Sequence, residues 1–269
     1  MATKFSNIAL IAGEGVLPVE IAKKLQKIQK STLIIALRDD PEVLEPYAGK
    51  LIHLKTPNFT RGLKEIKAHG SDELIMAGRI SKKVIYRVPF ALDRTALKIL
   101  KTSLRDDHSL LGAVVKVFED ENIKVIPYWQ ILPEFIAPAG QLSKRKPTDK
   151  ELKDIEYAKK ILRVTLPLSF GQSICVADEA VVALEAMEGT DKMIQRSGTL
   201  IKRGVLVKMM REDQDMRYDL PTVGIKTLEN MHEAGLTCLA IEAGKTLIME
   251  PEKFFNKADK FNIAVLGVN

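Results

Sequence analysis

The chain predicts an α/β protein of two domains, and three observations carry that expectation. Short apolar runs bounded by glycine or charged turns alternate with amphipathic stretches in both halves, which is the pattern of strands covered by helices. Between the halves the texture changes, with Pro127, Pro133, Pro138 and Pro147, the pair Ala139-Gly140 and the basic cluster Lys144-Arg145-Lys146. A length of 269 residues suits two ordinary domains. The expected division is residues 1–133 as an open, Rossmann-like α/β domain, 134–147 as a linker and 148–269 as a second, catalytic α/β domain.

Taken in order, Ile8 to Ala12 reads as a strand, Gly13-Glu14-Gly15 as a tight turn, and the stretch from Val16 as an amphipathic helix with Pro18 in its first turn. A second strand follows at Thr32 to Leu37, then Leu51 to Leu54, a helix from Arg61 to His69, and a strand from Glu73 that ends in Gly78-Arg79. Gly13 and Gly15 at the mouth of a helix can present backbone N–H groups and a positive helix end to a phosphate. The third position of the dinucleotide fingerprint is Pro18, so a plain tight turn explains the spacing equally well. Asp39 and Asp40 close the second strand, where a ribose-binding acid stands in dinucleotide domains. Asp106 and Asp107 introduce the helix Leu110 to Phe118; capping accounts for one of them and leaves the other for a ligand or metal. His108 reads as a surface histidine, and His53, His69 and His232 have no evident partner in the sequence.

In the second half, Thr148 to Glu151 is a capping box opening a helix whose apolar stripe is Leu152, Ile155, Ala158, Ile161 and Leu162. Gly171-Gln172 leads into two β-rich runs, 173–177 and 180–184, with Asp178-Glu179 as the hairpin turn. Glu185 shares a face with Val181 and Ala183 if the second run is a strand. Glu185, Glu188 and Asp191, with Gly189 and Thr190 between, lead into a helix through Arg196; Thr190 is a natural N-cap and Asp191 suits the helix dipole. Three acids exceed what capping needs, and such a cluster can coordinate Mg²⁺. After the strand-like Gly204 to Val207 comes the densest stretch, Lys208 to Gly224. Lys208, Asp215, Arg217 and Asp219 place two cations and two carboxylates in one connection, enough to grip a phosphate and orient a water or hold a metal. Asp219 stands before Leu220-Pro221, where proline stiffens the backbone. A helix from Ile225 to Ala234, two β-rich runs joined by Glu242-Ala243-Gly244, a charged helix from Pro251 and a closing strand from Ile263 complete the chain.

With 46% hydrophobic and 28% charged residues the chain buries a normal core. A net charge of +6 favours anionic partners such as nucleotides, phosphate esters or an acidic membrane face. The charges are dispersed, which argues against a nucleic-acid arm. The two cysteines, Cys175 and Cys238, lie in apolar runs and read as small buried hydrophobes of a reducing, cytoplasmic compartment. No apolar run approaches the roughly 20 residues that span a bilayer. A lipid substrate would therefore be taken from the membrane surface.

Several of these pieces together carry a resemblance: Ile11 to Pro18, Asp106-Asp107, Gly171-Gln172, Val182 to Asp191 ending in Glu-Gly-Thr-Asp, Lys208, Gln214 to Arg217, Asp219-Leu-Pro-Thr-Val-Gly224 and Glu242 to Gly244. The chain resembles the UDP-2,3-diacylglucosamine pyrophosphatase family of the LpxI type over nearly its whole length. The resemblance departs at Gly13-Glu-Gly, where some members carry three glycines, and in the variable linker at 136–140. It implies two α/β domains with the lipid held between them and Mg²⁺-dependent cleavage of a pyrophosphate in lipid A synthesis. It also implies that Asp219 is the critical aspartate. Glu188 and Asp191 join Asp219 as metal candidates. The substrate-binding set is Gly13, Gly15, Arg79, Asp106, Asp107, Gln172, Glu185, Gly189, Thr190, Arg196, Lys208, Gln214, Arg217 and Thr222. The partners expected are a UDP-linked diacylated glucosamine, the inner-membrane surface met transiently, and a second copy of the chain in a homodimer. The competing expectation is a nucleotide- or NAD-binding regulatory module without hydrolase activity, supported by the βαβ opening and Asp39.

Overall fold

The computed structural model describes residues 7–29, 31–56, 58–79, 107–169 and 171–269, and side chains in its third helix from residue 111 onward. It divides by internal contacts into two units, one ending at Leu132 and one beginning at Pro133. Each is an α/β unit with its own sheet, as the alternating pattern predicts.

In the first unit, β1 (Ile8–Ala12), β2 (Leu33–Ala36), β3 (Lys50–His53), β4 (Glu73–Ala77) and β5 (Lys124–Val125) form one sheet in the order β3-β2-β1-β4-β5. Every pairing is parallel. β1 and β2 are buried almost throughout, which is why they read as continuous apolar runs. The helices are α1 (Leu17–Ile28), α2 (Phe59–His69) and α3 (Asp107–Asp120). α1 buries Pro18, Ile21, Ala22 and Leu25. α2 starts on Asn58, whose side chain accepts from the Arg61 amide, and stops at Gly70 in the left-handed conformation.

Strand order reverses between β1 and β4, the place where open α/β sheets collect ligands. Here that crevice is bridged by backbone. The Gly13 amide donates to the Ala77 carbonyl at 2.8 Å, and Glu14 and Arg79 exchange backbone bonds of 2.7 and 3.1 Å. Glycine is required at position 13 because a Cβ there would lie 2.6 Å from the Arg79 carbonyl oxygen. Two amides that a phosphate cradle would use are thus spent within the fold.

The end of β2 holds a residue that the pattern of acids obscured. Arg38 is 7% exposed and donates from Nη1 to the carbonyls of Gly13 and Gly15 at 3.3 and 3.2 Å. Its other nitrogens pair with both oxygens of Asp40, at 2.7 and 3.0 Å. That pairing holds the Asp40 carboxyl below its ordinary range. The Asp39 amide donates to the Glu14 carboxylate at 3.2 Å. Asp40 is engaged by arginine instead of facing a ribose, so the dinucleotide-module expectation is not favoured. Arg38→Ala is expected to destabilise this sheet by about 2 kcal/mol, because it strands two carbonyls and a carboxylate. Hydrogen exchange at the β1 and β2 amides is the check, since it reports this sheet alone.

In the second unit the sheet order is β6-β13-β11-β9-β7-β8. The strands are β6 (Gly140–Gln141), β7 (Ser173–Ala177), β8 (Ala180–Leu184), β9 (Val205–Lys208), β11 (Cys238–Glu242) and β13 (Ala264–Val268); β10 (Thr222–Val223) and β12 (Leu247–Ile248) pair separately. β9, β11 and β13 are parallel, whereas β7 runs against β9 and β8 against β7. One face carries α4 (Asp149–Thr165), whose Ile155, Ala158 and Leu162 pack with Val205, Val207 and Cys238. The opposite face packs α5 (Thr190–Leu200), α6 (Ile225–Ala234) and α7 (Pro251–Lys260) through Met193, Leu228, Met231 and Phe254 against Leu206 and Leu239. Alternation along β9 sends Val205 and Val207 one way and Leu206 the other.

The proline-rich connection is tied onto this second sheet. β6 pairs with β13, the Ser143 hydroxyl accepts from the Val265 amide at 2.7 Å, and Arg145 grips Glu151 in the α4 capping box at 2.7 Å. Asp178 and Glu179 both take positive φ, the hairpin turn expected there. Cys175 and Cys238 are free and buried, and burial pushes the Cys175 thiol up to about 12. His232 stacks on Phe261 at 4.1 Å, while His69 meets the Ser71 hydroxyl at 2.9 Å. Among the described residues no helix is long and apolar enough to cross a membrane.

Candidate active site

The sheet topology of the second unit brings three separate stretches of sequence to one edge. β9 ends there with Lys208, and antiparallel β7 begins there with Ser173 opposite Lys208. β8 runs back to the same edge and delivers Glu185, and α5 starts from it with Thr190. The carboxyl ends of parallel strands are where such sheets build sites.

Lys208 is 6% exposed, and its Nζ donates to the Thr190 hydroxyl at 3.2 Å. That hydroxyl donates to Glu185 Oε1 at 2.9 Å, and Glu185 Oε2 accepts from the Gln172 amide at 3.3 Å. Ser173 Oγ lies 3.4 Å from the same threonine oxygen. Burial lowers the pKa of Lys208, opposed by the charges of Glu185 and Asp191. A Cβ at Gly171 would collide with the Glu185 backbone, so the approach of these two segments requires glycine.

Thr190 departs from its expected role. Gly189 is the N-cap of α5, with φ of 81°, and Thr190 is the first helical residue with no side-chain cap made. Glycine reaches that backbone conformation freely, which releases the threonine hydroxyl to join Glu185 to Lys208. Thr190→Val keeps the shape and removes the link. It is expected to cost roughly 1–2 kcal/mol in a denaturant titration and to lower turnover.

The connection 209–221 is anchored at this edge by backbone amides. Met209 donates to the Gln172 carbonyl at 3.0 Å, Met210 to Glu242 Oε2 at 2.8 Å, and Arg211 to Gln214 Oε1 at 2.8 Å. Gln214 and Glu242 are both buried for this purpose. Further on, Asp215 accepts from the Arg217 amide at 2.8 Å and from its guanidinium at 2.7 to 3.0 Å. Burial would raise the Asp215 pKa, and these bonds outweigh it and hold the carboxyl low. The Asp219 amide bonds to the Asp215 carbonyl at 2.9 Å, which fixes the Asp219 backbone. Among the described residues its half-buried carboxylate has no hydrogen bond or ion pair. Tyr218 beside it is pushed up to about 12 by burial and by Asp215, so it remains a neutral phenol.

The other expected residues divide. Arg196 donates to Glu188 at 2.6 Å and to the Leu184 carbonyl at 3.2 Å, which holds the Glu188 carboxyl below its ordinary range. Asp191 accepts from Asn230 Nδ2 at 2.8 Å. Thr222 is exposed and donates to the Leu220 carbonyl at 3.2 Å. Gln172 Oε1 is buried with no partner among the described residues, an acceptor left over at the edge of the site. Gly13, Gly15 and Arg79 stand in the bridged loops of the first unit. Asp106 lies outside the described residues; Asp107 begins α3, and its side chain lies outside them too.

As a metal cage the trio Glu188, Asp191 and Asp219 does not fit. Among the described residues no three His, Cys, Asp or Glu side chains gather to hold an ion. Glu188 is committed to Arg196 and Asp191 to Asn230. Asp219 by itself fits the mode Mg²⁺ prefers, one or two carboxylates completed by water and substrate phosphate oxygens.

Sequence reasoning passed over Asn230 and Ser173. Asn230 is fully buried, and its Oδ1 has no partner among the described residues. The available signal was an amide on the buried stripe of α6, between Leu228 and Ala234, where an apolar residue packs by default. Ser173 looked like the first residue of an apolar strand, and only the β7–β9 register sets it opposite Lys208.

Comparison with known proteins gives the same outline. Residues 7–135 match the LpxI N-terminal domain and residues 138–266 the LpxI C-terminal domain. The chain is also similar to UDP-2,3-diacylglucosamine pyrophosphatase LpxI of Caulobacter vibrioides, with 31% identity over 278 aligned positions covering 98% of each chain. With both domains matched and a relative aligned end to end, the chain belongs to the LpxI family.

Proposed function

We propose that this protein hydrolyses the pyrophosphate bond of UDP-2,3-diacylglucosamine to 2,3-diacylglucosamine 1-phosphate and UMP, a step of lipid A synthesis. The similarity to the Caulobacter pyrophosphatase supports the choice of substrate. The single structural observation carrying the chemistry is Asp219, a fixed backbone bearing a carboxylate that no hydrogen bond or ion pair engages among the described residues. Polar groups that satisfy one another build structure; one held in place without a partner is available to a ligand.

In this reading a water attacks one phosphorus, the new P–O bond forms, and the bridging P–O bond breaks toward the other phosphate. Asp219 accepts a hydrogen bond from that water and draws off its proton. Arg217, held by Asp215, and Lys208 set positive charge against the phosphate oxygens. Gln172 Oε1 accepts from a substrate hydroxyl or amide. Asp219 would hold a Mg²⁺ ion, which would supply charge neutralisation to the phosphate oxygens. The enzyme works on the cytoplasmic side and meets its lipid at the inner-membrane surface.

The test is incubation of the purified protein with UDP-2,3-diacylglucosamine, with Mg²⁺ or with excess chelator, followed by detection of UMP and the lipid 1-phosphate. Release of both, lost on chelation, is the expected result. Lipid bound without release would make the protein a carrier.

A further inference from the structure

We infer that the carboxyl end of α4 is a membrane-docking tip that seats the second unit on an anionic lipid surface. The choice of a bilayer as occupant rests on the lipid substrate proposed above; the surface itself stands on four observations.

First, the tip is apolar and exposed. Val164 is 70% exposed and Leu168, in the turn after α4, is 65% exposed. Isolated exposed aliphatics are ordinary, but two in one turn are less so. Second, the tip lies at the edge of the sheet that holds Lys208. α4 begins beside Thr237, whose hydroxyl donates to Glu151 at 2.6 Å before β11 starts. The chain leaves the turn at 166–168 and enters β7 at Ser173, opposite Lys208. Third, the connection from β8 to α5 at the same edge presents Met187 with full exposure.

Fourth, the charge along the tip's own segment has one sign. No acidic residue occurs between Glu156 and Asp178, while Lys159, Lys160 and Arg163 fall in that interval. Lys159 is paired with Glu156 at 2.9 Å. Lys160 and Arg163 are exposed and have no ion-pair partner among the described residues. Lys160 sits one helical turn before Val164, and Arg163 is its neighbour in the chain. Cations flanking exposed aliphatic side chains are complementary to acidic headgroups over hydrocarbon. A protein partner of the same size would be expected to meet a more mixed charge pattern.

The experiment is co-sedimentation of the full-length protein with vesicles of phosphatidylcholine, alone or mixed with phosphatidylglycerol. The wild type is expected to partition onto the mixed vesicles and to be released by salt. The double variant Val164→Asp with Leu168→Asp is expected to lose roughly 10-fold or more in partitioning. Lys160→Glu with Arg163→Glu is expected to lose the preference for phosphatidylglycerol. Both pairs are on the surface, so thermal midpoints remain near wild type and turnover of substrate dispersed in detergent micelles is unchanged.

Equal partitioning of the aspartate variant and the wild type overturns the inference. So does unchanged vesicle binding with a raised KM in micelles, which would make the tip a receiver of the substrate's acyl chains. A dimer abolished by the same substitutions, with no vesicle binding, would assign the patch to a second copy of the chain. Partitioning is read without turnover, so failure of the proposed reaction and failure of the docking tip give different results.

Discussion

Asp219→Asn is expected to reduce turnover by roughly 10³-fold while the thermal midpoint stays within a degree or so of wild type. The two halves of that expectation have separate causes. Among the described residues the carboxylate makes no hydrogen bond or ion pair, and the bond that fixes Asp219 comes from its backbone amide to the Asp215 carbonyl. Asparagine keeps that bond, the size and the hydrogen-bonding oxygen. It removes the negative charge and the capacity to take a proton, which are what a water-orienting or metal-bound carboxylate supplies. Turnover and calorimetry on the same preparation decide it. Near-normal activity would move the chemistry elsewhere, and a large fall in midpoint would make Asp219 a structural residue.

Lys208→Met is expected to separate function from stability in the other direction. Turnover falls about 100-fold or more, because the pyrophosphate loses a cation placed in a dry site. The thermal midpoint holds or rises. Burial lowers the lysine's folded pKa below its unfolded value, so the folded protein binds its proton less tightly than the unfolded chain does. Below the folded value the full cost of the buried charge is present. As pH rises from the folded toward the unfolded value, that cost is relieved and wild-type stability gains relative to the variant. Methionine has nearly the same length and no charge, so it removes the desolvation cost that lowers the lysine's pKa, while Glu185 keeps its bonds from Thr190 and the Gln172 amide. Thermal melts of both proteins at neutral and alkaline pH test the sign. A variant that melts well below wild type would show that Glu185 and Thr190 depend on the ammonium.

The organisation of the chain was legible because its signals are local. Glycine turns, capping residues and runs of Val, Ile and Leu act over a few residues, so β1, α4 with its capping box, the 178–179 hairpin and α6 all lie where the sequence places them. The fixed backbone at Asp219 was expected for the same reason, from the proline two positions on. Thr190 was misassigned because a capping signature says which residues can cap, and Gly189 took the position first. Arg38 was obscured by the two acids beside it, and its acceptors are loop carbonyls 25 and 23 residues earlier.

The sequence by itself determined two α/β units, their element order and the concentration of charged side chains in the 208–224 stretch. Tertiary structure alone decided which of those groups meet. Pairing β7 against β9 set Ser173 opposite Lys208, the return of β8 brought Glu185 beneath Thr190, and packing of α6 on α5 gave Asp191 to Asn230. The reason is physical: a side chain's charge and length are written at its own position, whereas its partner depends on sheet register and helix packing between residues far apart in the chain.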